Sequence, residues 1–171
     1  MSDYFSLLGL EAAFELDAGK LAGNYRQAAR EVHPDRFASA DAQTQRQAVE
    51  QTAELNQAYA TLKSTTSRAL YLLNQQAELA EEATVQDPEF LFQQMEWREE
   101  LEDLGQSEDF AAIDKFRSRL NTARQQIDTE FAQVWSDTEQ RSQAERLVRR
   151  MQFLDKVLYE LDQLEERLDD F

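Results

Sequence analysis

Cysteine is absent from this 171-residue chain, and histidine occurs once, at position 33. Disulfides and thiolate metal sites are therefore excluded, and a metal centre built on imidazoles lacks its ligands. We expect no resident metal and no cofactor. Glycine appears four times and proline twice, while Ala, Glu, Gln, Leu and Arg predominate, a composition that favours helices joined by short connections and very little strand. No run of about 18 apolar residues offers a membrane span. The Met1-Ser2-Asp3 start lacks the basic region and apolar stretch of a signal peptide, so we expect a soluble, unprocessed chain with the cytoplasm as its compartment. Positive charge is also scarce: 18 Lys and Arg face 34 Asp and Glu, for a net charge of −16. Duplex nucleic acid draws affinity from cations that neutralise phosphates, and anionic membranes ask for the same, so both are poor partners for this chain.

The excess acid is unevenly placed. Residues 1–75 hold 7 Lys/Arg against 9 Asp/Glu, whereas residues 76–171 hold 11 against 25. Two modules with different electrostatic roles are expected, with residues 1–75 as the first, 76–86 as a linker and 87–171 as the second. In the first, Tyr4 to Leu10 reads as a turn or two of helix ended by Gly9. Asp17 caps a second helix, on which Leu21, Tyr25, Ala28 and Val32 share one face. Arg26 and Arg30 lie about 140° and 180° from Leu21, on its far side. Pro34 disfavours helical geometry at His33, so this helix ends near Val32. Asp41 caps a third helix with an inner face of Ala48, Thr52, Leu55, Tyr59 and Leu62, antiparallel to the second. A shorter fourth segment, from about Ser67 to Gln75, closes the base of the hairpin.

From Gln76 to Gln86 the chain is acidic, alanine-rich and weakly periodic. Beyond it, Asp87-Pro88 is an N-cap with proline at the first helical position, and Gly105 is the expected stop. Ser107 is the expected cap of the next helix, with a stripe of Ile113, Phe116, Leu120, Ala123, Ile127, Phe131 and Val134 at near-heptad spacing. Ser136 and Glu139 form a capping-box pattern for the last helix, which buries Leu147, Met151, Leu154, Leu158 and Leu161. Three such helices make an antiparallel bundle. The expected class is all-α, a helix hairpin followed by a three-helix bundle.

The tripeptide His33-Pro34-Asp35 stands between the two antiparallel helices, with Arg26 and Arg30 before it and Arg36 after. A lone loop histidine is ordinarily a turn residue, and charged helical residues ordinarily face solvent. Here, however, the order of helices, the Tyr25-Arg26 pair, the tripeptide at the hairpin tip and the Asn56-Gln57-Ala58-Tyr59 segment together resemble a J domain. That resemblance implies that His33, Pro34, Asp35, Arg26, Arg30 and Arg36 dock on a DnaK-class chaperone and stimulate its ATP hydrolysis. A basic island in an acidic chain suits the task, since it speeds encounter with an acidic surface and orients it.

Beyond residue 75 the chain resembles one J-protein family, HscB, co-chaperones of bacterial iron-sulfur cluster assembly. Arg68-Ala69-Leu70-Tyr71-Leu72-Leu73, Phe90-Leu91, Arg98-Glu99-Glu100-Leu101, Arg149 to Lys156, Leu164-Glu165-Glu166 and Asp170-Phe171 carry the likeness. The resemblance implies a C-terminal module that binds the scaffold protein IscU and presents it to HscA, a dedicated DnaK-class ATPase. It further implies Leu91, Phe92, Met95, Glu96, Glu99, Asp103 and Phe153 as the scaffold-binding residues. Phe92 stands where a relative has methionine, and Asp103 where it has glutamate; both keep the chemical class. A start directly at the J domain and the lack of cysteine resemble the bacterial form rather than relatives with an N-terminal metal-binding segment.

Residue spacing independently points to the same face. Phe90, Trp97, Leu101 and Leu104 cluster within about 60° on their helix, whereas Leu91, Phe92 and Met95 lie about 100° to 200° away among Glu96, Glu99 and Asp103. An apolar patch with an acidic border on the outside of a helix marks a partner surface. Phe153 is displaced by roughly 100° from the centre of its own core seam. Packing of Leu91 and Phe92 on the first module is the alternative for that pair. For the chain as a whole, the alternatives are a J-domain adaptor for another client and an acidic coiled-coil assembly protein. An enzyme is disfavoured, because no nucleotide loop, metal cluster or nucleophile-base set is present. The expected working state is a monomer.

Overall fold

A computed structural model describes residues 3–170; Met1, Ser2 and Phe171, which bear on the start and on the terminal likeness above, lie outside them. Among the described residues there are seven α-helices and no strand. The chain divides into two compact units, residues 1–76 and 77–171.

In the first unit α1 (Tyr4–Leu7) closes on Gly9, whose φ of 64° is the left-handed conformation that glycine adopts without strain. The Gly9 and Leu10 amides donate back to Ser6 and Phe5 in the pattern that satisfies orphan carbonyls at a helix end. Asp17 caps α2 (Ala18–Val32) through the Gly19 and Lys20 amides, and Asp41 caps α3 (Ala42–Lys63) through Thr44. Both caps stand where the sequence indicates. Val32 at the end of α2 lies by Thr52 of α3, and Tyr25 about two turns earlier stacks on Tyr59 further along, at 4.2 Å between ring centres. Residue numbers thus fall on one helix as they rise on the other, so the pair is antiparallel. The base is closed by α4 (Thr65–Gln76), which begins two residues before the expected Ser67.

A buried arginine ties that base together. Arg68 donates from Nε to the Leu62 carbonyl at 2.9 Å and from a guanidinium nitrogen to the Phe14 carbonyl, and its guanidinium lies 5.9 Å above the Phe14 ring. Phe14 belongs to the segment between α1 and α2, so one side chain joins that segment, the end of α3 and α4. Charged side chains are buried where all their donors are used, and these two carbonyls have no water to turn to.

In the second unit α5 (Pro88–Ser107), α6 (Phe110–Val134) and α7 (Arg141–Asp169) form the three-helix bundle. Glu100 of α5 pairs with Arg119 early in α6, and Arg117 and Arg124 of α6 pair with Asp162 and Asp155 of α7, both in antiparallel order. By contrast, Asp87 pairs with Arg150, and Arg98, eleven residues later, pairs with Glu160, so α5 and α7 run parallel. The core is the expected one: Ile113, Phe116, Leu120 and Phe131 meet Leu147, Met151, Leu154 and Leu161, all fully buried. Of the residues expected in it, Leu101, Ala123, Val134 and Leu158 are only half-buried.

Three helix ends differ from the sequence reading. Gly105 is helical, and α5 runs on to Ser107, where Glu108 turns left-handed at φ 53°. The stop comes from a chain reversal that Asp109 locks by capping α6 through Ala112, so Asp109 replaces Ser107 as the cap. Asp137, not Ser136, caps a short 3₁₀ turn at Thr138–Gln140, and α7 starts after it at Arg141. Residues 77–87 lie against α7: Arg141 donates to the Ala77 carbonyl, Arg149 to the Ala80 carbonyl, and Arg150 makes two bonds to the Asp87 carboxylate. Burial alone would raise the Asp87 carboxyl, but the hydrogen bonds and charge of Arg150, with the Phe90 amide, hold it below the usual carboxylate range.

Replacing Arg68 with Met keeps the stem and removes the donors, so each orphaned carbonyl should cost about 1–3 kcal/mol. Native-state hydrogen exchange should then show lost protection in α2, α3 and α4 with α5 to α7 unchanged. Unchanged protection in the first unit would contradict the role given to Arg68.

Candidate functional site: a braced loop and an exposed apolar face

The loop between α2 and α3 is a single 3₁₀ turn, Pro34–Phe37, entered through His33 in extended geometry at ψ 131°. Proline at its first position needs no amide and presets φ, so the turn forms where α2 cannot continue. The Asp35 amide donates to His33 Nδ1 at 3.2 Å, and the Arg36 amide to the His33 carbonyl at 3.0 Å. With Nδ1 accepting, the neutral form of His33 carries its proton on Nε2, which is then a donor. The His33 side chain is 55% exposed and the Asp35 carboxylate 93%. No residue of the turn is fully buried, although Pro34 and Phe37 are half-buried where it packs on α3.

What keeps an exposed loop in one shape lies beneath it. Gln45 on α3 directs its amide nitrogen at the carbonyls of Phe37, Ala38 and Ala40, 3.0 to 3.3 Å away. The Thr52 hydroxyl bonds to the Ala48 carbonyl and lies 3.4 Å from that of Val32, the last residue of α2. Tyr25 donates its hydroxyl to Asn56. Sequence reasoning missed Gln45 altogether, because its acceptors are main-chain carbonyls that no residue type announces. Arg26, Arg30 and Arg36 are exposed and form no ion pair among the described residues, and Arg36 reaches only the Glu31 carbonyl at 3.5 Å. The tripeptide and Arg36 thus stand at the loop end of the hairpin, with Arg30 in the last turn of α2 and Arg26 about a turn further back.

On the second unit Leu91, Phe92 and Met95 are 54%, 76% and 63% exposed, while Phe90, Trp97 and Leu104 on the opposite side of α5 are buried. Glu96, Glu99 and Asp103 are exposed beside them. An apolar side chain left in water gives up the burial free energy of roughly 25 cal/mol per Å² that folding otherwise gains. Three together on an outer helix face make a patch. Phe153 behaves differently. Its ring sits 5.7 Å from Phe90 and 6.3 Å from Trp97, with the Arg98 guanidinium 5.3 Å above it, so it is half-buried. Phe153 therefore supports the core with one face and borders the patch with the other.

Comparison with known proteins places both features. Residues 3–71 match the model for the DnaJ domain, and residues 86–162 match that for the HSCB C-terminal oligomerisation domain. The structure of chaperone HscB from Vibrio cholerae is 34% identical, with a TM-score of 0.86 over 98% of this chain and 99% of that one. The chain belongs to the HscB family. Human co-chaperone HscB is also similar, at 26% identity and a TM-score of 0.86 over 95% of this chain and 82% of that one. The Jac1 co-chaperone from Saccharomyces cerevisiae, at 22% identity and a TM-score of 0.72 over 95% and 94%, shares the fold. As an HscB-type J-protein, the chain carries a J domain in its first unit and the HscB helical domain in its second. The tripeptide occupies the tip of the J-domain hairpin, and the apolar face lies on the first helix of the C-terminal domain.

The two kinds of apolar residue are separable by stability. Truncating Leu91, Phe92 and Met95 together to Ala should leave the melting temperature near that of the parent. Phe153→Ala should lower it by several degrees, because an aromatic contact to two buried rings is lost. Thermal circular dichroism checks both. A large drop for the triple variant would show that those side chains are packed rather than free.

Proposed function

We propose that this protein is a co-chaperone that binds an IscU-type iron-sulfur scaffold through its second unit and presents it to an HscA-type DnaK-class chaperone, whose ATPase its first unit stimulates. The reading places 1–75 as the chaperone-docking module and 87–171 as the client-binding module. It works in the cytoplasm, as a monomer, and catalyses nothing itself. The observation that carries it is the pairing, in one HscB-family chain, of an exposed but braced His33-Pro34-Asp35 turn with a stable helix face that keeps three large apolar side chains in water.

The chemistry of each end supports the assignment. Arg26 and Arg30 on α2 steer an acidic chaperone surface towards the tip, while the Nε2 donor of His33 and the exposed Asp35 carboxylate supply directional contacts. Gln45 holds the turn ready, so little ordering entropy is lost on docking. At the other end Leu91, Phe92 and Met95 supply the desolvated centre of an interface, flanked by Phe153, and Glu96, Glu99 and Asp103 form its polar rim. Carrying both sites on one chain raises the effective concentration of scaffold at the chaperone, so two moderate affinities produce one efficient delivery. The match of residues 86–162 to an oligomerisation-domain family supports a second reading, in which this unit also self-associates. Sedimentation at the concentration used for binding separates the two states.

The test uses substitutions at each end. His33→Gln should preserve the helical spectrum and scaffold binding and lower ATPase stimulation by about tenfold or more, equivalent to at least 1.4 kcal/mol of lost interaction. The Leu91/Phe92/Met95 truncation should stimulate HscA normally by itself and bind IscU roughly 100-fold more weakly. Normal stimulation by His33→Gln, or normal IscU binding by the triple variant, would remove the corresponding half of the proposal.

A further inference from the structure

Next to the apolar face, the second unit carries a feature at odds with its charge. On α7, Arg149, Gln152, Phe153 and Lys156 recur at three- and four-residue spacing, and on α5 so do Leu91, Gln94 and Arg98. Each set is therefore one stripe on its helix. Because α5 and α7 run parallel, the stripes lie alongside each other and, with residues 82–87, enclose a groove of about 870 Å³. That volume is in the range that accommodates several side chains of a ligand.

The unit as a whole has 25 acidic and 11 basic residues, yet Arg98, Arg149, Arg150 and Lys156 line this groove against only Glu82 and Asp87. Two of the four cations are neutralised: Arg150 by its two bonds to Asp87, and Arg98 by Glu160. The other two are not. Arg149 donates to neutral acceptors, the Gln152 side chain at 2.9 Å and the Ala80 carbonyl at 2.8 Å. Lys156 is exposed and has no ion pair among the described residues. Between them stands the half-buried Phe153 ring, and Leu91 belongs both to the groove and to the exposed apolar face.

We propose that this groove receives an acidic segment of the client scaffold, whose carboxylates meet Arg149 and Lys156 while a neighbouring apolar side chain covers Phe153 and Leu91. The proposal rests on the scaffold-binding reading and names the chemistry of the segment bound. Spacing favours a chain segment over a small anion. Arg149 and Lys156 are seven residues apart on a helix, roughly 10 Å along its axis, too far for a single carboxylate or phosphate to bridge and well matched to acidic residues spread along a peptide. A cationic cleft in an acidic surface also selects: it attracts that segment, while the surrounding acid repels negatively charged partners that lack the fit.

The experiment is calorimetric titration of the full-length protein with IscU at 50 and 500 mM NaCl, using Lys156→Glu and, as a control for net charge, Lys115→Glu. Lys115 is exposed on α6 and does not line the groove. Lys156→Glu should weaken IscU binding by about tenfold at low salt and by much less at high salt, where exposed charges are screened. Lys115→Glu should bind like the parent, and all three proteins should melt together. Parent-like binding by Lys156→Glu, with the Leu91/Phe92/Met95 truncation still defective, would overturn the groove proposal and leave the scaffold reading standing. Failure of the parent itself to bind IscU would remove the scaffold reading, and the groove proposal with it. Loss of a self-association in Lys156→Glu would assign the groove to a second copy of this chain and also overturn the proposal.

Discussion

A helix packed on one side buries an apolar stripe a little over 100° wide, and the organisation of this chain rests on how its helices fill or overfill that stripe. On α6 and α7 most apolar residues fit it, Phe110, Phe153 and Tyr159 excepted, and the seam from Ile113 to Phe131 against Leu147 to Leu161 is closed to water. On α5 they do not fit. Phe90, Trp97 and Leu104 satisfy the core, and Leu91, Phe92 and Met95 are left over. In the first unit the same constraint acts through α3, which packs against α1, α2 and α4 with Leu55, Ala58 and Leu62 buried. The basic side of α2 faces outwards, where it is free to meet a partner.

Much of this was legible because it depends on periodicity and on local capping chemistry. Asp17, Asp41 and Asp87 cap helices where an acidic residue precedes a periodic run, and Pro34 ends α2 by geometry alone. The off-stripe position of Leu91, Phe92 and Met95 follows from counting residues at about 100° each. Features that depend on a neighbour were hidden. The end of α5 is set by the cap of the next helix, Asp109, rather than by Gly105. The turn-bracing role of Gln45 and the hold of Arg141 and Arg149 on residues 77–80 use main-chain acceptors, which have no residue signature. Phe153 lies off its own seam, as its spacing indicates, yet it packs on Phe90 and Trp97 because α5 runs parallel to α7, a relation no single helix encodes.

The same division explains how the proposed binding surfaces can be carried at little cost to folding. Leu91, Phe92 and Met95 contribute almost nothing to the core, and the turn at His33 is held by Gln45, Pro34 and partial burial of Phe37 with no fully buried residue. A co-chaperone that must release both partners gains from this arrangement, since its interfaces can change in strength without changing its stability. Arg68, Arg117 and Arg124 take the opposite part. Their charges are matched or their donors consumed inside the fold, whereas Arg26, Arg30 and Arg36 of the first unit and Lys156 in the α5–α7 groove stay exposed to solvent.

The central claim is that one chain couples a scaffold to a chaperone. Single-turnover ATP hydrolysis by HscA, measured with this protein alone, with IscU alone and with both, tests it most directly. The account predicts that the rate with both exceeds the product of the separate stimulations. Purely multiplicative rates would contradict the coupling, and no stimulation by this protein under any condition would contradict the account as a whole.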